Sequence, residues 1–359
     1  MLLFDDMLQM SPFSLDKAEK RRLLNKRIAY LEQLHRDSCS SYRNIAEPLF
    51  GQYQPDMEYD EMPFLPVALF KKTDLKSIPD SEIFKTMTSS GTTGQQVSKI
   101  YLDRTTANNQ QKALTRIVSD FTGQSRLPMI IIDSPSVIKD RKMFSARGAG
   151  ILGFSIFASK KIYALDDNME LNLPLIEEFL QKHKGEKILL FGFTFMIWQH
   201  FYKQLLKSGQ RLNIPQGILI HGGGWKKLLN ESVSKDEFKQ CICEVSGIQK
   251  IHDYYGMVEQ TGCIYMECEQ GHLHASIFSD IVTRNMLDFK KCAFGEEGVI
   301  QVISTIPESY PGHSILTEDT GVILGEDDCP CGRMGKYFEV HGRILNAETR
   351  GCSDTYDAK

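Results

Sequence analysis

Residues 187–209, "KILLFGFTFMIWQHFYKQLLKSG", place a short apolar run directly before a helix-like stretch. Two further apolar runs are of the same kind, "PMIIID" at 128–133 and the strand-like part of "QGILIHGGGW" at 216–225. Short apolar strands that alternate with helical segments predict an α/β fold with parallel strands, whose ligands collect at the carboxyl ends of the strands. We therefore expect the glycine-rich turns after these strands to carry the chemistry.

The two ends of the chain have different patterns. Beyond about residue 275 the helical signal fades, and "GVIQVISTI" and "GVILGEDD" predict strands of a β-rich, antiparallel region. Residues 14–36 predict an amphipathic helix with Ser14 as its N-cap, because apolar side chains recur at helical spacing at Leu23, Leu24, Ile28, Leu31 and Leu34.

Composition excludes several classes of protein. The chain has 359 residues, 42% of them hydrophobic, and a net charge of -4, which offers no basic field for nucleic acid. Asp5 and Asp6 stand where a secretory signal would carry positive charge. The longest apolar run, at 188–198, is too short for a membrane helix, which needs about 20 residues. We expect a cytoplasmic enzyme without a membrane span, whose nine Cys are thiols or metal ligands.

The loop in "KTMTSSGTTGQQVSKIYLD", residues 85–103, is rich in Ser, Thr and Gly. Gly91 and Gly94 would let the backbone approach phosphate oxygens closely, with hydroxyl and N–H groups as donors. It is not a Walker loop, because Gln96 stands where that motif needs its second Gly. A solvated turn would have the same composition, so both interpretations stay open at this point.

A second glycine-rich stretch, "GAGILG" at 148–153, fits the dinucleotide fingerprint in letters only. No strand immediately precedes it, and no acidic residue lies near 20 positions further on. We expect a tight turn that packs a helix on the sheet.

Two later turns are candidate binding elements. In "HGGGW", 221–225, three glycines would let a flat base lie against the backbone with Trp225 as a stacking wall, although a mobile turn would look alike. His221 beside it is either an active-site group or a structural histidine. In "HDYYGMVEQTG", 252–262, Glu259 follows an aromatic-Gly turn and would hold a divalent cation, unless it is an isolated surface residue.

The order of these stretches resembles the adenylate-forming superfamily of acyl-CoA synthetases, luciferases and adenylation domains. The resemblance implies ATP and Mg²⁺ as cofactors, with Lys99 and the loop over the phosphates, Glu259 on the magnesium ion, and Asp319 of "TEDTG" on the ribose. It implies the following nucleotide-binding residues: Ser89, Ser90, Gly91, Thr92, Thr93, Gly94, Gly222, Gly223, Gly224, Trp225, Tyr255, Gly256, Asp319 and Arg343. The chain departs from the superfamily pattern in three ways: no Pro precedes Lys99, the adenine turn lacks a Glu-Pro pair, and Val258 replaces a Thr.

Within the superfamily the chain is most similar to the acyl-protein synthetase (LuxE) family, the long-chain-fatty-acid–luciferin-component ligases. The likeness rests on "PFLPVALFKK" at 63–72, "FSARGAG" at 144–150, "HGGGWKKL" at 221–228 and "RGCSDTY" at 350–356. It implies a large adenylate-forming domain over 1–343, built of parallel-sheet α/β subdomains and a β-rich subdomain. The swivelling C-terminal domain of about a hundred residues would be lacking, since only a tail at 344–359 follows.

The tail contains Cys352. An acyl-adenylate is a mixed anhydride, and a thiolate is an effective nucleophile toward it. A thiol that is tethered to the enzyme also has a higher effective concentration than a free thiol. The resemblance implies that Cys352 takes the acyl group of a fatty acid as a thioester for an acyl reductase partner. Glu259, Lys99 and Cys352 would then be the catalytic residues. Two alternatives stay open: an acyl- or aryl-CoA ligase that uses free coenzyme A and borrows the missing domain, or an inactive nucleotide-binding scaffold.

A structural zinc site is the remaining prediction. Cys329 and Cys331 of "DDCPCGR", with Cys268 and either His272 or His274 of "ECEQGHLH", offer four ligands that suit closed tetrahedral zinc. Relatives of the phenylacetate-CoA ligase type have a similar arrangement in which the His follows a Leu, which favours His274. Cys263 is a substitute ligand in this interpretation.

For the acyl pocket we expect the helix at 194–208, the strands that end near Gly224 and Tyr255, and Phe144, Phe193 and Trp225 as walls. Cys241 and Cys243, in "FKQCICEVSGI", are expected to be half-buried residues of a helix.

Overall fold

The computed structural model describes residues 4–54, 56–89, 96–138 and 146–344. The helices within these residues are α1 (Phe4–Leu8), α2 (Lys17–Ser38), α3 (Ser40–Phe50), α4 (Leu69–Lys72), α5 (Arg104–Thr122), α6 (Ala146–Phe154), α7 (Leu173–Lys182), α8 (Thr194–Met196), α9 (Lys203–Ser208) and α10 (Lys235–Ser246).

The strands are β1 (Leu65–Pro66), β2 (Lys85–Thr88), β3 (Lys99–Leu102), β4 (Leu127–Ile131), β5 (Ala158–Tyr163), β6 (Ile188–Phe193), β7 (Gly217–Gly222), β8 (Lys250–Tyr255), β9 (Tyr265–Glu267), β10 (Leu273–His274), β11 (Ser279–Arg284), β12 (Glu297–Ser304), β13 (Ser314–Glu326) and β14 (Lys336–Arg343). None of the helices in the described ranges combines the length and the apolar character that a bilayer crossing requires.

The described residues form two compact units. The first unit consists of 4–89 without residue 55, 96–120 and 256–344, and the second of 121–138 and 146–255.

The second unit is built on parallel strands. Its strands follow the order β5-β4-β6-β7-β8, and every pair is parallel. All residues of β4, β6 and β7 are buried, as expected for strands that helices cover on both faces. One apolar core joins these strands to α7, α9 and α10. The parallel α/β architecture that the sequence predicts is therefore confirmed.

The helical segment after β6 is not a uniform α-helix. Between α8 and α9, residues Ile197–Tyr202 form a π-helix, and the segment ends at Gly209 with φ of +67°. Short π-helical segments inside longer helices occur often at functional sites.

The first unit is mainly antiparallel. Its strands follow the order β11-β12-β13-β14-β10-β9, β1 pairs with β13 in parallel, and β2 and β3 form a separate hairpin. The β-rich, antiparallel region expected after residue 275 is confirmed by β11 to β14.

Two local predictions from the sequence were wrong. The cap of α2 is Asp16, whose Oδ1 accepts the Glu19 N–H at 2.8 Å, whereas the Ser14 hydroxyl donates to the Ser11 carbonyl at 2.9 Å. The "GAGILG" stretch is not a tight turn, because α6 contains all of it. A Cβ at Gly150 would lie 2.9 Å from the Phe193 ring, so this glycine permits close packing of α6 on the end of β6.

Candidate functional site

The predicted phosphate loop joins the two strands of a hairpin. β2 and β3 pair up to Thr88 and Lys99. Two bonds extend the ladder: the Ser89 N–H donates to the Ser98 carbonyl at 3.1 Å, and the Ser98 N–H donates to Ser89 Oγ at 2.9 Å. Lys99 is exposed, and its ammonium lies 3.9 Å from Asp74. The hairpin thus fixes Ser89 and Lys99 at the base of the loop, while Ser90, Gly91, Thr92, Thr93 and Gly94 lie outside the described residues.

The predicted adenine turn follows β7 in the second unit. A Cβ at Gly222 would lie 2.7 Å from the Tyr254 ring, and one at Gly223 would lie 2.7 Å from the Phe193 ring. Gly223 and Gly224 also have positive φ, +82° and +62°. Among the described residues beyond its chain neighbours, no atom lies within 4 Å of a Cβ placed on Gly224, so the backbone is open on that side. This arrangement fits a flat ring that lies against the backbone.

His221 connects the ends of neighbouring strands. Its Nδ1 lies 3.0 Å from Thr194 Oγ1 and 3.7 Å from Asp253 Oδ1, which bring together the ends of β6, β7 and β8. The Thr194 hydroxyl also lies within hydrogen-bonding distance of the Gly222 carbonyl, to which it can donate at 3.2 Å. Sequence reasoning missed Thr194 and Asp253, although each stands at or just beyond the end of a strand, where a parallel sheet collects ligands.

Trp225 is partly buried against the core of the second unit. Its ring lies edge-on to Trp198, 5.2 Å between centroids, and to Phe238 at 6.0 Å. Cys241 and Cys243 are half-buried on α10, as predicted. The role of Trp225 as a stacking wall stays a prediction.

The candidate magnesium ligand belongs to a rigid turn of the first unit. Glu259 lies in the 3-10 turn Val258–Gln260 and is buried, so it is not an isolated surface residue. Its carbonyl accepts the Tyr310 hydroxyl at 2.8 Å. The adjacent Gln260 amide donates to the carbonyls of Val302 at 3.0 Å and Gly312 at 2.9 Å. A buried carboxylate on a fixed backbone is the kind of group that a hard cation such as Mg²⁺ prefers.

Asp319 and Arg343 form an ion pair. They are partners across β13 and β14, and Arg343 Nε lies 3.5 Å from Asp319 Oδ1. The Asp319 N–H donates to Thr317 Oγ1 at 3.1 Å, which fixes the backbone beside the carboxylate. Two of the predicted nucleotide-binding residues therefore lie together.

Cys268, His274, Cys329 and Cys331 form the metal cluster, the four residues whose ligand atoms all lie within 4.8 Å of one another. Sγ of Cys268 lies 3.9 Å from Sγ of Cys329, and Sγ of Cys331 lies 3.3 Å from Nε2 of His274. Tetrahedral zinc with Zn–S of about 2.3 Å and Zn–N of about 2.0 Å separates its ligand atoms by about 3.5–3.8 Å. These separations are close to those of tetrahedral zinc, so small shifts of the side chains would give the metal cluster that geometry.

Two backbone hydrogen bonds and the pKa of His274 are consistent with metal binding at the metal cluster. The N–H groups of Gln270 and Arg333 donate to Sγ of Cys268 at 3.4 Å and of Cys331 at 3.5 Å. Burial lowers the pKa of His274 to about 4, so its ring is neutral, as a ligand must be. Burial also raises the pKa of the Cys329 thiol to about 12. A bound dication would lower this pKa again, because it stabilises the thiolate.

The two substitute ligands lie outside the metal cluster. The Cys263 thiol is buried against the Phe278 carbonyl at 3.3 Å and Ser304 Oγ at 3.2 Å. His272 is adjacent, with Nδ1 at 3.5 Å from Sγ of Cys329. The four metal ligands that the sequence analysis favoured are thus the residues of the metal cluster. Two other predicted residues, Phe144 of the acyl pocket and Cys352, lie outside the described residues.

Comparison with protein families decides the assignment. The model of the family "Acyl-protein synthetase, LuxE" matches residues 2–359. The chain belongs to this family. The resemblance that the sequence motifs indicated is confirmed over essentially the whole LuxE-family chain.

Curated relatives and solved structures agree with this assignment. The LuxE-family chain is 24% identical to the long-chain-fatty-acid–luciferin-component ligase of Vibrio harveyi, over 97% of this chain and 91% of that one. It is 23% identical to the ligase of the same name from Aliivibrio fischeri, over 97% and 92%. A 2-hydroxyisobutyryl-CoA ligase in an open conformation superposes with a TM-score of 0.72 at 16% identity, over 94% of this chain and 77% of that one. The predicted adenylate-forming fold is thereby confirmed.

Proposed function

We propose that this protein activates a fatty acid with ATP to acyl-AMP and pyrophosphate, and then transfers the acyl group to Cys352 as a thioester for an acyl reductase. The observation that carries the proposal is the match of the LuxE family model across residues 2–359. The names of the curated relatives, long-chain-fatty-acid–luciferin-component ligases, support a fatty acid as the substrate. The structural similarity to a 2-hydroxyisobutyryl-CoA ligase that was solved with its acyl-AMP supports adenylation as the chemistry.

Four of the predicted site residues lie in surroundings that suit the roles proposed for them. The backbone at Gly224 is open and suits the adenine ring, while the Asp319 carboxylate beside Arg343 suits the ribose hydroxyls. Lys99, exposed at the base of the hairpin and only loosely paired with Asp74 at 3.9 Å, would reach the phosphates. Glu259 would hold Mg²⁺, which reduces the repulsion between the triphosphate and the incoming carboxylate.

The second step is an acyl transfer to sulfur. The thiolate of Cys352 attacks the carbonyl carbon of the mixed anhydride, and a C–S bond forms. The C–O bond to the phosphate breaks, AMP leaves with the electron pair, and the thiol proton passes to solvent. Tethering makes this attack intramolecular, which favours Cys352 over a free thiol.

Two measurements test the proposal. ATP–pyrophosphate exchange with a series of fatty acids reports adenylation, and mass spectrometry of the intact protein reports the thioester. We expect wild type to show both, and Cys352→Ser to keep exchange but lose the acyl adduct. Cys243→Ser, a half-buried helical cysteine, is the matched control and should keep both.

Other outcomes contradict the proposal in specific ways. Release of acyl-CoA from free coenzyme A, with no label on the protein, is the behaviour of an acyl-CoA ligase. ATP binding without pyrophosphate formation from any acid is the behaviour of a nucleotide-binding scaffold. Loss of exchange in folded Cys352→Ser would show that the cysteine is required for adenylation.

The proposal includes structural zinc in the metal cluster. Four buried or half-buried soft ligands leave no open position for a substrate, so the metal would join the β9-β10 turn to the loop before β14. Metal analysis of purified protein should give one zinc per chain, and Cys329→Ser should lose it and unfold at lower temperature. Cys292→Ser should keep the metal, since Cys292 lies outside the metal cluster. Equal zinc content in Cys329→Ser and wild type would refute the site.

A further inference from the structure

Asp133 and Arg147 form a buried ion pair in the second unit that none of the roles above uses. Asp133 follows β4, and Arg147 is the second residue of α6. Arg147 Nε lies 3.2 Å from Asp133 Oδ2. The exposed fraction is 1% for Asp133 and 9% for Arg147. A charged pair so deeply buried is worth an explanation, because burial of charges is costly unless hydrogen bonds satisfy them.

The hydrogen bonds of this pair are incomplete. Despite the short distance, neither Arg147 Nε nor Asp133 Oδ2 forms a hydrogen bond with the described residues. Among those residues the guanidinium donates to Sδ of Met196 at 3.5 Å, and sulfur is a weak acceptor. A guanidinium carries five N–H donors. Within the described residues, most of the N–H donors of Arg147 are therefore without a protein acceptor, as a ligand carboxylate would require.

The pair lies where a parallel sheet binds ligands. Asp133 is just beyond the carboxyl end of β4, and Met196 belongs to α8, directly after β6. One turn beyond Arg147, Gly150 lets α6 pack against Phe193 at the end of β6. Ligands of open parallel sheets collect at this edge, and the helix that begins with α8 is the one expected to border the acyl pocket.

We propose that Arg147, with Asp133 as its counter-charge, binds a carboxylate of the acid substrate. The planar guanidinium matches the two oxygens of a carboxylate in a bidentate pair. A monoanion suits the site better than a phosphate group, because the Asp133 carboxylate beside it repels a dianion more strongly. The inference rests on the proposed function, since it assigns a residue to the acid of that reaction.

Two further observations, on Asp133 itself and on Tyr163, are compatible with this assignment. Burial raises the pKa of Asp133 to about 6, with Arg147 acting in the opposite direction, so the repulsion of a bound carboxylate is reduced in mildly acidic conditions. The buried hydroxyl oxygen of Tyr163, at the end of β5, makes no hydrogen bond within the described part of the chain. It is a further donor at the same edge of the sheet.

The test compares variants that a purely structural ion pair would affect alike. Arg147→Met removes the planar guanidinium and its paired N–H donors. We expect KM for the acid to rise about 10- to 100-fold in ATP–pyrophosphate exchange, with KM for ATP unchanged. Asp133→Asn keeps the shape and removes the repelling charge, so KM for the acid should fall several-fold. Arg147→Lys keeps the charge but not the paired N–H donors of the guanidinium. Its KM for the acid should lie between those of wild type and Arg147→Met. Arg211→Gln, an exposed arginine of the same unit, is the control.

The choice of acids identifies which carboxylate binds. A fatty acid and the dicarboxylic acid of equal length are compared in each variant. A rise of KM for both places the reacting carboxylate at Arg147, and a rise for the dicarboxylic acid alone places a second, distal carboxylate there. Either result supports the proposal.

The proposal is overturned if Arg147→Met and Asp133→Asn shift KM for the acid in the same direction, or leave it unchanged while lowering thermal stability. Calorimetric titration of the acids without ATP should give the same order of affinities as KM. If wild type exchanges pyrophosphate with none of the acids, the proposed function is wrong. The titration still decides whether Arg147 binds carboxylates.

Discussion

Arg343 Nε lies 3.5 Å from Asp319 Oδ1, and the two residues are direct partners across β13 and β14. In the sequence they belong to separate motifs, and only the antiparallel pairing of the strands joins them. The ion pair keeps the Asp319 carboxylate beside Arg343, and we expect this carboxylate to accept hydrogen bonds from the ribose hydroxyls.

Asp319→Asn should therefore raise KM for ATP about tenfold or more, because hydrogen bonds to a charged acceptor are stronger than those to an amide. KM for the acid should stay the same. The measurement is the ATP dependence of pyrophosphate exchange. Asp288→Asn, which breaks an exposed pair with Lys290 at 3.0 Å, is the matched control. Equal KM for ATP in Asp319→Asn and wild type would remove Asp319 from the nucleotide site.

Motifs in the sequence predicted those parts of the site that depend on local spacing. Cys329 and Cys331 lie on one loop, and Cys268 and His274 belong to the β9-β10 hairpin, so their gathering required a single long-range contact. The parallel strands were equally recognisable, since each is a continuous apolar run.

Pairs that depend on which elements become neighbours could not be predicted. Arg147 meets Asp133 because α6 covers the end of β4, and neither residue has a distinctive local pattern. The same holds for Thr194 and Asp253 around His221, which only the strand order of the sheet brings together. The cap of α2 was misplaced because Ser14 and Asp16 are both good caps, and the chain geometry selects between them.

Gly223 should tolerate no side chain. A Cβ there would meet the Phe193 ring at 2.7 Å, and φ is +82°. Gly223→Ala should lower the free energy of unfolding by about 2–4 kcal/mol, from backbone strain and overpacking together, and should weaken ATP binding. Urea denaturation and calorimetric titration with ATP measure the two effects.

Gly209 is the matched control for Gly223. It has a similar φ, +67°, but in the part of the chain that the structure describes no atom beyond its chain neighbours lies within 4 Å of an added Cβ. Gly209→Ala should cost only the backbone strain, about 1 kcal/mol, and leave ATP binding intact. Equal losses of stability in the two variants would show that the contact with Phe193 relaxes without cost.

Asp280 should be among the most sensitive buried charges of the first unit. It lies 3.4 Å from the ammonium of Lys20 and 2.8 Å from that of Lys336, and it accepts a hydrogen bond from Tyr59. Burial acts to raise its pKa, but the two ammonium groups prevail and hold the pKa at about 2. Asp280→Asn leaves two buried cations without their counter-charge, and should cost about 3–5 kcal/mol in the free energy of unfolding.

Urea denaturation at neutral pH measures this loss. Glu178→Gln, which breaks an exposed pair with Lys182 at 2.6 Å, should leave the free energy of unfolding essentially unchanged. If Asp280→Asn costs no more than this control, the two lysines must be neutralised in another way.

His35 should make the protein less stable in acid. Its ring is fully buried, with Nδ1 at 2.7 Å from Ser77 Oγ and Nε2 at 3.0 Å from the Pro307 carbonyl. Burial, and then the charge of the stacked His313, lower the pKa of His35 well below its usual range. The unfolded chain, with a His pKa of about 6.5, therefore binds more protons than the folded chain below that pH. Stability is fully present above pH 6.5 and declines as the pH falls, by up to about 1.4 kcal/mol per pH unit.

Unfolding free energies between pH 7.5 and about pH 5 should therefore decline less steeply in His35→Gln than in wild type, even if the variant is less stable throughout. His341→Gln, on an exposed side chain that pairs with Glu297 at 3.2 Å, should retain the wild-type slope. Glu32, Tyr42 and Arg27 also act on this histidine pair. The pKa of Glu32 is lowered, so its contribution is lost only at lower pH, and the pKa of Tyr42 is raised, so Tyr42 stays neutral throughout this range. A wild-type slope in His35→Gln would assign the acid sensitivity to other groups, because the buried neutral ring would then contribute nothing to the difference in protons bound.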